Sequence, residues 1–503
     1  VTTLATSSAA GERRRRLRGW GGHQVGNLPG LVRQLTRQHW ALLLLLLAGA
    51  VLRLLVMIGY APGFWYHGDS GQYLGYAFRH APGVTRPYGY SLFLNLLLAL
   101  HSTRLIIAVQ HLMGLALAVG AYVFLHRRGV SRLVCALAAA PLLLDARTIA
   151  IEHFLLAETL FAVLIVVGMA ALCWRPNPGW LGTLVAAGAF SWAALTRSIG
   201  LVALAVPVLY LILRRVPWRR TVAFVAIVGI ALGGYLSWYH SHYGEYAFTA
   251  YSGRFLWSRT MSFVDCQKLD LTAEERPLCP KEPIDARMPP DVYLWTRSPY
   301  PVNKGERYNR AYEDFARKAI RAQPGDYALT VAKDLGLIFV PGPYPTERIS
   351  CLGKIWSFTA SGQRGCQPYF APDNPGKRRY SDFVGKRDHP LMGPLHGYAG
   401  IATVPATLIA LCFLLAIGLA FVRPRSSSWR EHLDPLAWTG LAVGMIVGSI
   451  ATSAVDPRYA VPSLPLAVGG AALAWRRFRA VRGSGEGRPA ATRPRINEIA
   501  AGH

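Results

Sequence analysis

Residues 40–78 read WALLLLLLAGAVLRLLVMIGYAPGFWYHGDSGQYLGYAF. The first half is a leucine run long enough to cross a bilayer, for which about 20 apolar residues suffice. The second half, from Phe64 to Phe78, leaves the apolar run and sets one carboxylate, Asp69, among aromatics. Its neighbours Gly68, Ser70 and Gly71 are too small to shield it. The stretch therefore predicts a membrane span followed by a chemically distinctive loop.

Composition extends that reading to the whole chain. Of 503 residues, 52% are hydrophobic and 16% charged, where a soluble globular protein has roughly 25% charged. Apolar segments fall near 40–58, 104–125, 131–146, 149–173, 180–196, 198–213, 221–239, 397–422, 435–454 and 459–475. The sequence thus predicts an all-α polytopic membrane protein of about ten transmembrane helices. The net charge is +27, from 54 Lys and Arg against 27 Asp and Glu. The basic runs at 13–18, 126–128, 214–220, 423–430 and 475–482, with Arg175, alternate with the spans so that all share one side. Basic short loops mark the cytoplasmic face. Both termini are then cytoplasmic, the charge serves topology and lipid headgroups, and nucleic acid is not expected as a partner.

No small-residue cleavage site follows the leucine run, so the first span is expected to stay uncleaved. The basic arm 1–39 and the tail 476–503 have the composition of disordered segments. Between them the sequence divides into a transmembrane module at 40–239, with its first outer loop at 59–103, an extracytoplasmic loop domain at 240–396, and C-terminal transmembrane helices at 397–475. The loop domain, about 157 residues, is too long for a structureless connection. It holds Cys266, Cys279, Cys351 and Cys366, while Cys135, Cys173 and Cys412 lie in apolar segments. An even number outside the membrane suggests two disulfides, paired by proximity as Cys266–Cys279 and Cys351–Cys366. Neither pair has zinc-type spacing. Within this domain, 307–342 has helical amphipathic spacing; its second half fits either the membrane surface or an ordinary core.

The outer loops carry the polar chemistry. Asp69 opens D-S-G-Q, a capping-box pattern that predicts a short helix through Tyr73 and Tyr76; the same carboxylate at the membrane boundary is also a candidate catalyst. Glu158 lies in a long apolar run and, on a helix starting near Thr148, sits about ten residues or roughly 15 Å deep. Ionisable groups at such depth are expensive and functional by default. Glu152 and His153, nearer the surface, are candidates to bind a divalent metal or substrate, or to be simply solvated. Arg197 and Arg458 stand at two outer turns, where planar guanidinium groups suit a phosphate; Arg458 also has Asp456 within reach as an ion-pair partner.

In order along the chain, Asp69 and Tyr73 in D-S-G-Q-Y, RPYGYSLFLNLLLAL (86–100), AETLF (157–161), Thr196-Arg197 and Arg458-Tyr459 together resemble the GT-C membrane glycosyltransferases. The pattern is most similar to the polyprenyl-phosphate-dependent protein mannosyltransferase and aminoarabinose transferase-like branch. Ser70 stands where that branch commonly has a second acid. The resemblance implies transfer of a sugar, arabinose or mannose, from a polyprenyl-phosphate donor to a hydroxyl of an extracytoplasmic cell-envelope acceptor, with inversion. It implies Asp69 as base, Glu158 beside it, Arg197, Arg458 and Tyr459 on the donor phosphate, and His67, Tyr73 and Arg86 on substrate. It implies the 86–100 segment as a lipid guide along the membrane.

No P-loop and no dinucleotide-binding glycine motif is present, in keeping with a lipid-linked donor. Two other classes share the pattern of spans and buried charges: a transporter or flippase, and a non-catalytic envelope assembly protein.

Overall fold

The computed structural model describes residues 28–485 apart from 67, 301–304, 340–350, 352, 362–365, 367, 377–387, 405 and 422–431. Each apolar segment of the sequence is helical over most of its described length, with 149–173 and 397–422 each interrupted by a few non-helical residues. Five helices are long and apolar enough to cross a membrane: Thr36–Gly59, Thr103–Arg127, Trp218–Tyr243, Met392–Leu419 and Leu433–Thr452. Counting the bent pair Arg132–Leu144 and Ala146–Glu152 as one span gives six. Glu158–Cys173, Trp180–Thr196 and Ile199–Leu213 are shorter apolar helices, so the expected count of about ten is not reached by length and composition.

Three expectations require correction. The Leu28–Gly59 helix, kinked at His39, includes residues 28–39 of the arm expected to be disordered; residues 1–27 lie outside the described part. The Leu464–Gly485 helix likewise runs through the start of the expected tail, and 486–503 lie outside the description. Most important for function, Glu158 is not ten residues into a continuous helix. Ala146–Glu152 ends first, and Glu158 begins the next helix. The intervening chain is taken by the first loop: Phe64 N donates to His153 O at 2.8 Å, and Leu155 N to Phe64 O at 3.2 Å. Those bonds replace helical ones, which leaves Glu158 at a helix N-terminus, where the macrodipole favours a carboxylate.

Two further contacts fix the first loop. Phe64–Trp65 pairs antiparallel with Tyr369–Phe370, and Ala371 N donates to Gly63 O at 2.8 Å. The loop is thus stitched to the long 240–396 segment as well as to the bundle. Gly89 performs a related service for the helix Gly89–Leu97. A Cβ there would meet the Leu195 carbonyl at 2.5 Å, so only glycine lets this helix lie against Leu195 and Thr196, just before Arg197.

One large core contains most of the bundle, together with Val331, Ile338, Trp356, Phe358, Phe370 and Met392 from the long segment. A second, smaller core is built from Trp257, Met261, Val264, Leu278, Tyr293, Tyr312 and Phe315. The amphipathic 307–342 region forms two helices, Gly305–Ala322 and Pro324–Phe339. The first contributes to the small core and the second packs on Leu433–Thr452. Disulfides join Cys266 to Cys279 and Cys351 to Cys366.

Candidate functional site

Asp69 precedes the helix Ser70–Arg79, as the capping pattern predicts, yet its side chain makes no cap hydrogen bond. The pattern's other members are also occupied elsewhere. Ser70 Oγ accepts from Tyr66 N at 2.9 Å, and Gln72 Oε1 accepts from Thr85 at 2.5 Å and from Tyr76 at 3.2 Å. The Asp69 carboxylate instead faces two guanidinium groups. Arg86 Nε and Nη2 reach Oδ1 at 2.9 and 2.8 Å, and Arg458 Nη1 donates to Oδ2 at 2.8 Å. Burial pushes this carboxyl up, but Arg86 and then Arg458 more than reverse the effect and hold it well below the ordinary carboxylate range.

Arg458 is the hub. It sits in the 3-10 segment Pro457–Ser463, which is anchored by Asp456: Oδ1 accepts from Arg458 N at 3.0 Å and from Trp356 Nε1 at 2.7 Å. Asp456 Oδ2 lies 2.9 Å from Arg458 Nε as an ion pair, without hydrogen-bond alignment. Burial nonetheless leaves the Asp456 carboxyl above its ordinary value. The Arg458 guanidinium lies 5.0 Å from each of the Tyr66 and Trp356 ring centroids, a cation–π clamp that a lysine would fill poorly. Its Nη1 also lies 3.5 Å from Glu158 Oε1.

Glu158 Oε1 is bonded by Arg197 as well, while Glu158 Oε2 is buried without a hydrogen-bond partner. Arg197 stands at the C-terminus of Trp180–Thr196, 5.8 Å from the Tyr459 ring. Asp69, Glu158 and Asp456 are thus matched by Arg86, Arg197 and Arg458. A neutral cluster of six charges is affordable at this depth because each charge has an opposite partner within 4 Å.

A cavity of about 300 Å³ opens onto the cluster. Asp69, Tyr73, Arg86, Arg197, Arg458 and Tyr459 form its charged and aromatic wall; Thr85, Thr249, Ser252 and Glu313 supply further polar groups, and Ile199, Val202, Phe255 and Leu256 an apolar side. A second, largely apolar pocket of about 330 Å³ lies against Tyr88, Gly89, Leu92, Trp192, Leu195 and Tyr235; the first three shortly follow Arg86 in the chain, and Trp192 and Leu195 shortly precede Arg197. A larger apolar crevice of about 640 Å³ near Trp174 and Trp180 has Arg175 as the sole charge in its lining, which offers chemistry little to work with.

The residues singled out in the sequence are therefore distributed as follows. Asp69, Tyr73, Arg86, Arg197, Arg458 and Tyr459 share one cavity; Glu158 stands behind it, reaching it through two arginines. His67 lies outside the described residues. Glu152 and His153 are elsewhere and do not form an open ligand set. Both Glu152 oxygens are 2.8 Å from Arg53, and both His153 nitrogens are hydrogen-bonded. Among the described residues no group of three His, Cys, Asp or Glu is arranged to hold a metal. Sequence reasoning missed Tyr66, Trp356 and Glu313. Tyr66 was visible in the opening stretch as an interfacial aromatic, but nothing in the spacing ties Trp356 or Glu313 to it.

Comparison with known proteins adds little to this geometry. No family model matches the chain, and no curated protein matches it. Among solved structures, the S. cerevisiae protein O-mannosyltransferase Pmt1–Pmt2 complex bound to the sugar donor overlaps 49% of this chain, with 15% identity and a TM-score of 0.32. The overlap spans 37% of that protein's chain. The assignment of the site rests on its own side chains.

Proposed function

We propose that the protein is a membrane glycosyltransferase that moves a sugar from a polyprenyl-phosphate donor to an acceptor hydroxyl on the extracytoplasmic side, with inversion. The observation that carries this reading is one carboxylate, Asp69, paired with Arg86 and Arg458 and sharing the lining of a cavity with them and Arg197, with an apolar pocket beside it. The sequence resemblance of the Asp69, Arg197 and Arg458 segments to GT-C enzymes points the same way.

In a single displacement the acceptor oxygen forms a bond to the anomeric carbon as the bond from that carbon to the phosphate oxygen breaks. The acceptor proton passes to Asp69, and the electron pair of the broken bond stays on the phosphate. Arg86, Arg197 and Arg458 would hold that developing charge. With both its oxygens held by arginine, Asp69 is a weak base. A donor phosphate that draws Arg86 or Arg458 away would strengthen it at the moment it is needed. Glu158 acts as a positioning residue, aiming Arg197 and Arg458. The apolar pocket of Gly89, Leu92 and Trp192 is the proposed path of the lipid chain, and the hydroxyl-rich mouth near Ser252 and Thr249 that of the acceptor.

The test is to supply purified full-length protein with radiolabelled mannosyl and arabinosyl polyprenyl phosphates and an envelope extract. The reading predicts label moving into the extract from one of the two donors. If no label moves while lipid crosses vesicles containing the protein, a flippase takes its place.

A further inference from the structure

A second buried cluster lies outside the proposed reaction. Arg53, on the first long helix, grips Glu152 with Nε and Nη2, each at 2.8 Å. Its remaining donors reach the carbonyls of Gly49, Leu142 and Leu143. From Glu152 a chain of close contacts runs onward: Oε2 to His111 Nδ1 at 2.9 Å, His111 Nε2 to His153 Nδ1 at 3.1 Å, and His153 Nε2 to Tyr60 O at 2.9 Å. Arg53, His111, Glu152 and His153 are all buried.

Counting protons along this chain gives an unexpected total. Both ends are acceptors, a carboxylate and a backbone carbonyl, so the three contacts need three protons. Two neutral imidazoles supply only two. Starting from Tyr60, His153 must donate from Nε2 and therefore accept at Nδ1. His111 must then donate from Nε2, and it must also donate from Nδ1, because Glu152, an ionised carboxylate in its ion pair with Arg53, can only accept. One ring, His111, is left doubly protonated. Burial disfavours a charged ring, and the Glu152 carboxylate at 2.9 Å opposes that cost.

The chain does not end at Glu152. A cavity of about 20 Å³ is lined by Glu152, Glu158, Thr148 and Thr159. One water needs about 10–15 Å³ and two or more polar partners. Glu158 Oε2, buried and without a hydrogen-bond partner, is one such partner, and Glu152 another. A water placed there would donate one hydrogen to each carboxylate.

We infer that His111 holds a stored proton and that His111, His153 and Glu152 are positioning residues, joined to Glu158 through a single bound water. The charged groups facing this unit are Arg53 and Glu152 directly, and Glu158 with its partners Arg197 and Arg458 beyond the water. The stored charge keeps Glu152 ionised and the water oriented, so that Glu158 stays aimed at the two arginines. Only this last effect rests on the glycosyltransferase reading; the protonation itself does not.

Nitrogen NMR of the full-length protein, labelled at its 14 histidines and held at pH 8, tests the proposal without any transfer assay. An ordinary histidine, with a pKa near 6.5, is only about 3% charged there. One imidazolium signal is expected in the wild type, absent from both His111→Gln and His153→Leu, the second because it removes the acceptor that His111 Nε2 faces. Fourteen neutral rings in the wild type, or an imidazolium that survives either substitution, would overturn it; so would a signal that appears only after metal is removed with a chelator. Glu158→Gln tests the water link. Loss of that charge should lower the pH at which the signal titrates by about one unit, and an unchanged titration would show that the two carboxylates are not connected.

Discussion

Two buried carboxylates in this molecule look alike and sit in different surroundings. Asp69 lies between Arg86 and Arg458; Asp434 lies between Arg128 and Arg214, with Tyr210 OH donating to it at 2.8 Å. The difference is in what the partners face. Arg86 and Arg458 line a cavity of about 300 Å³ together with Asp69, so an incoming anion can compete for them. Around Asp434 the partners knit structure: Arg214 also binds Pro176 O at 2.9 Å, and Arg128 carries its C=O to Arg476. A buried ion pair is therefore not itself a sign of function; arginines shared between a carboxylate and open space are what the proposed function rests on.

Substitutions separate the two regions, beginning with the largest effect. Arg458→Met removes the guanidinium that Asp69, Glu158 and Asp456 share. It should abolish transfer and cost about 4 kcal/mol of stability, because buried charges are left uncompensated, as read by label transfer and chemical denaturation. Asp434→Asn should cost about 3 kcal/mol while transfer per folded molecule stays at the wild-type level; a selective loss of transfer would erase the distinction drawn here. Arg197→Lys keeps the charge but loses the planar fork, and transfer should fall about tenfold with little change in stability. The smallest effect is a pH dependence. The Asp69 carboxyl is held below its ordinary value in the folded protein, so its stabilising contribution is complete above about pH 4 and lost as pH falls toward the folded value. Melting temperatures of wild type and Asp69→Asn should differ by a constant amount from pH 5 to 8 and converge in stronger acid.

How much of this was legible in the sequence differs by residue. Asp69, Arg86, Arg197 and Arg458 each stand out in a short polar interruption of apolar sequence, and the alternation of basic loops puts all four on one side. Their meeting was not legible: Asp69 and Arg458 are 389 positions apart, and no spacing rule reaches that far. Glu158 shows the opposite failure. The run IEHFLLAETLF carries no glycine or proline, so a continuous helix is the natural reading. The break comes from Phe64, whose backbone captures His153 and Leu155, a tertiary effect that local pattern does not encode. His111 was passed over because a single histidine in an apolar helix is unremarkable until its ring is seen against Glu152 and His153. The expected span count is not reached by length and composition because several apolar helices are short; the Glu158–Cys173 helix, 16 residues long and largely buried among its neighbours, is the clearest instance.

The most direct measurement is sugar transfer from a labelled polyprenyl phosphate by purified full-length protein, comparing wild type with Asp69→Asn at equal amounts of folded protein. The account predicts a loss on the order of 10³-fold, the contribution of a positioned base. Equal transfer by the two proteins would contradict it and leave Asp69 as one more structural ion pair, like Asp434.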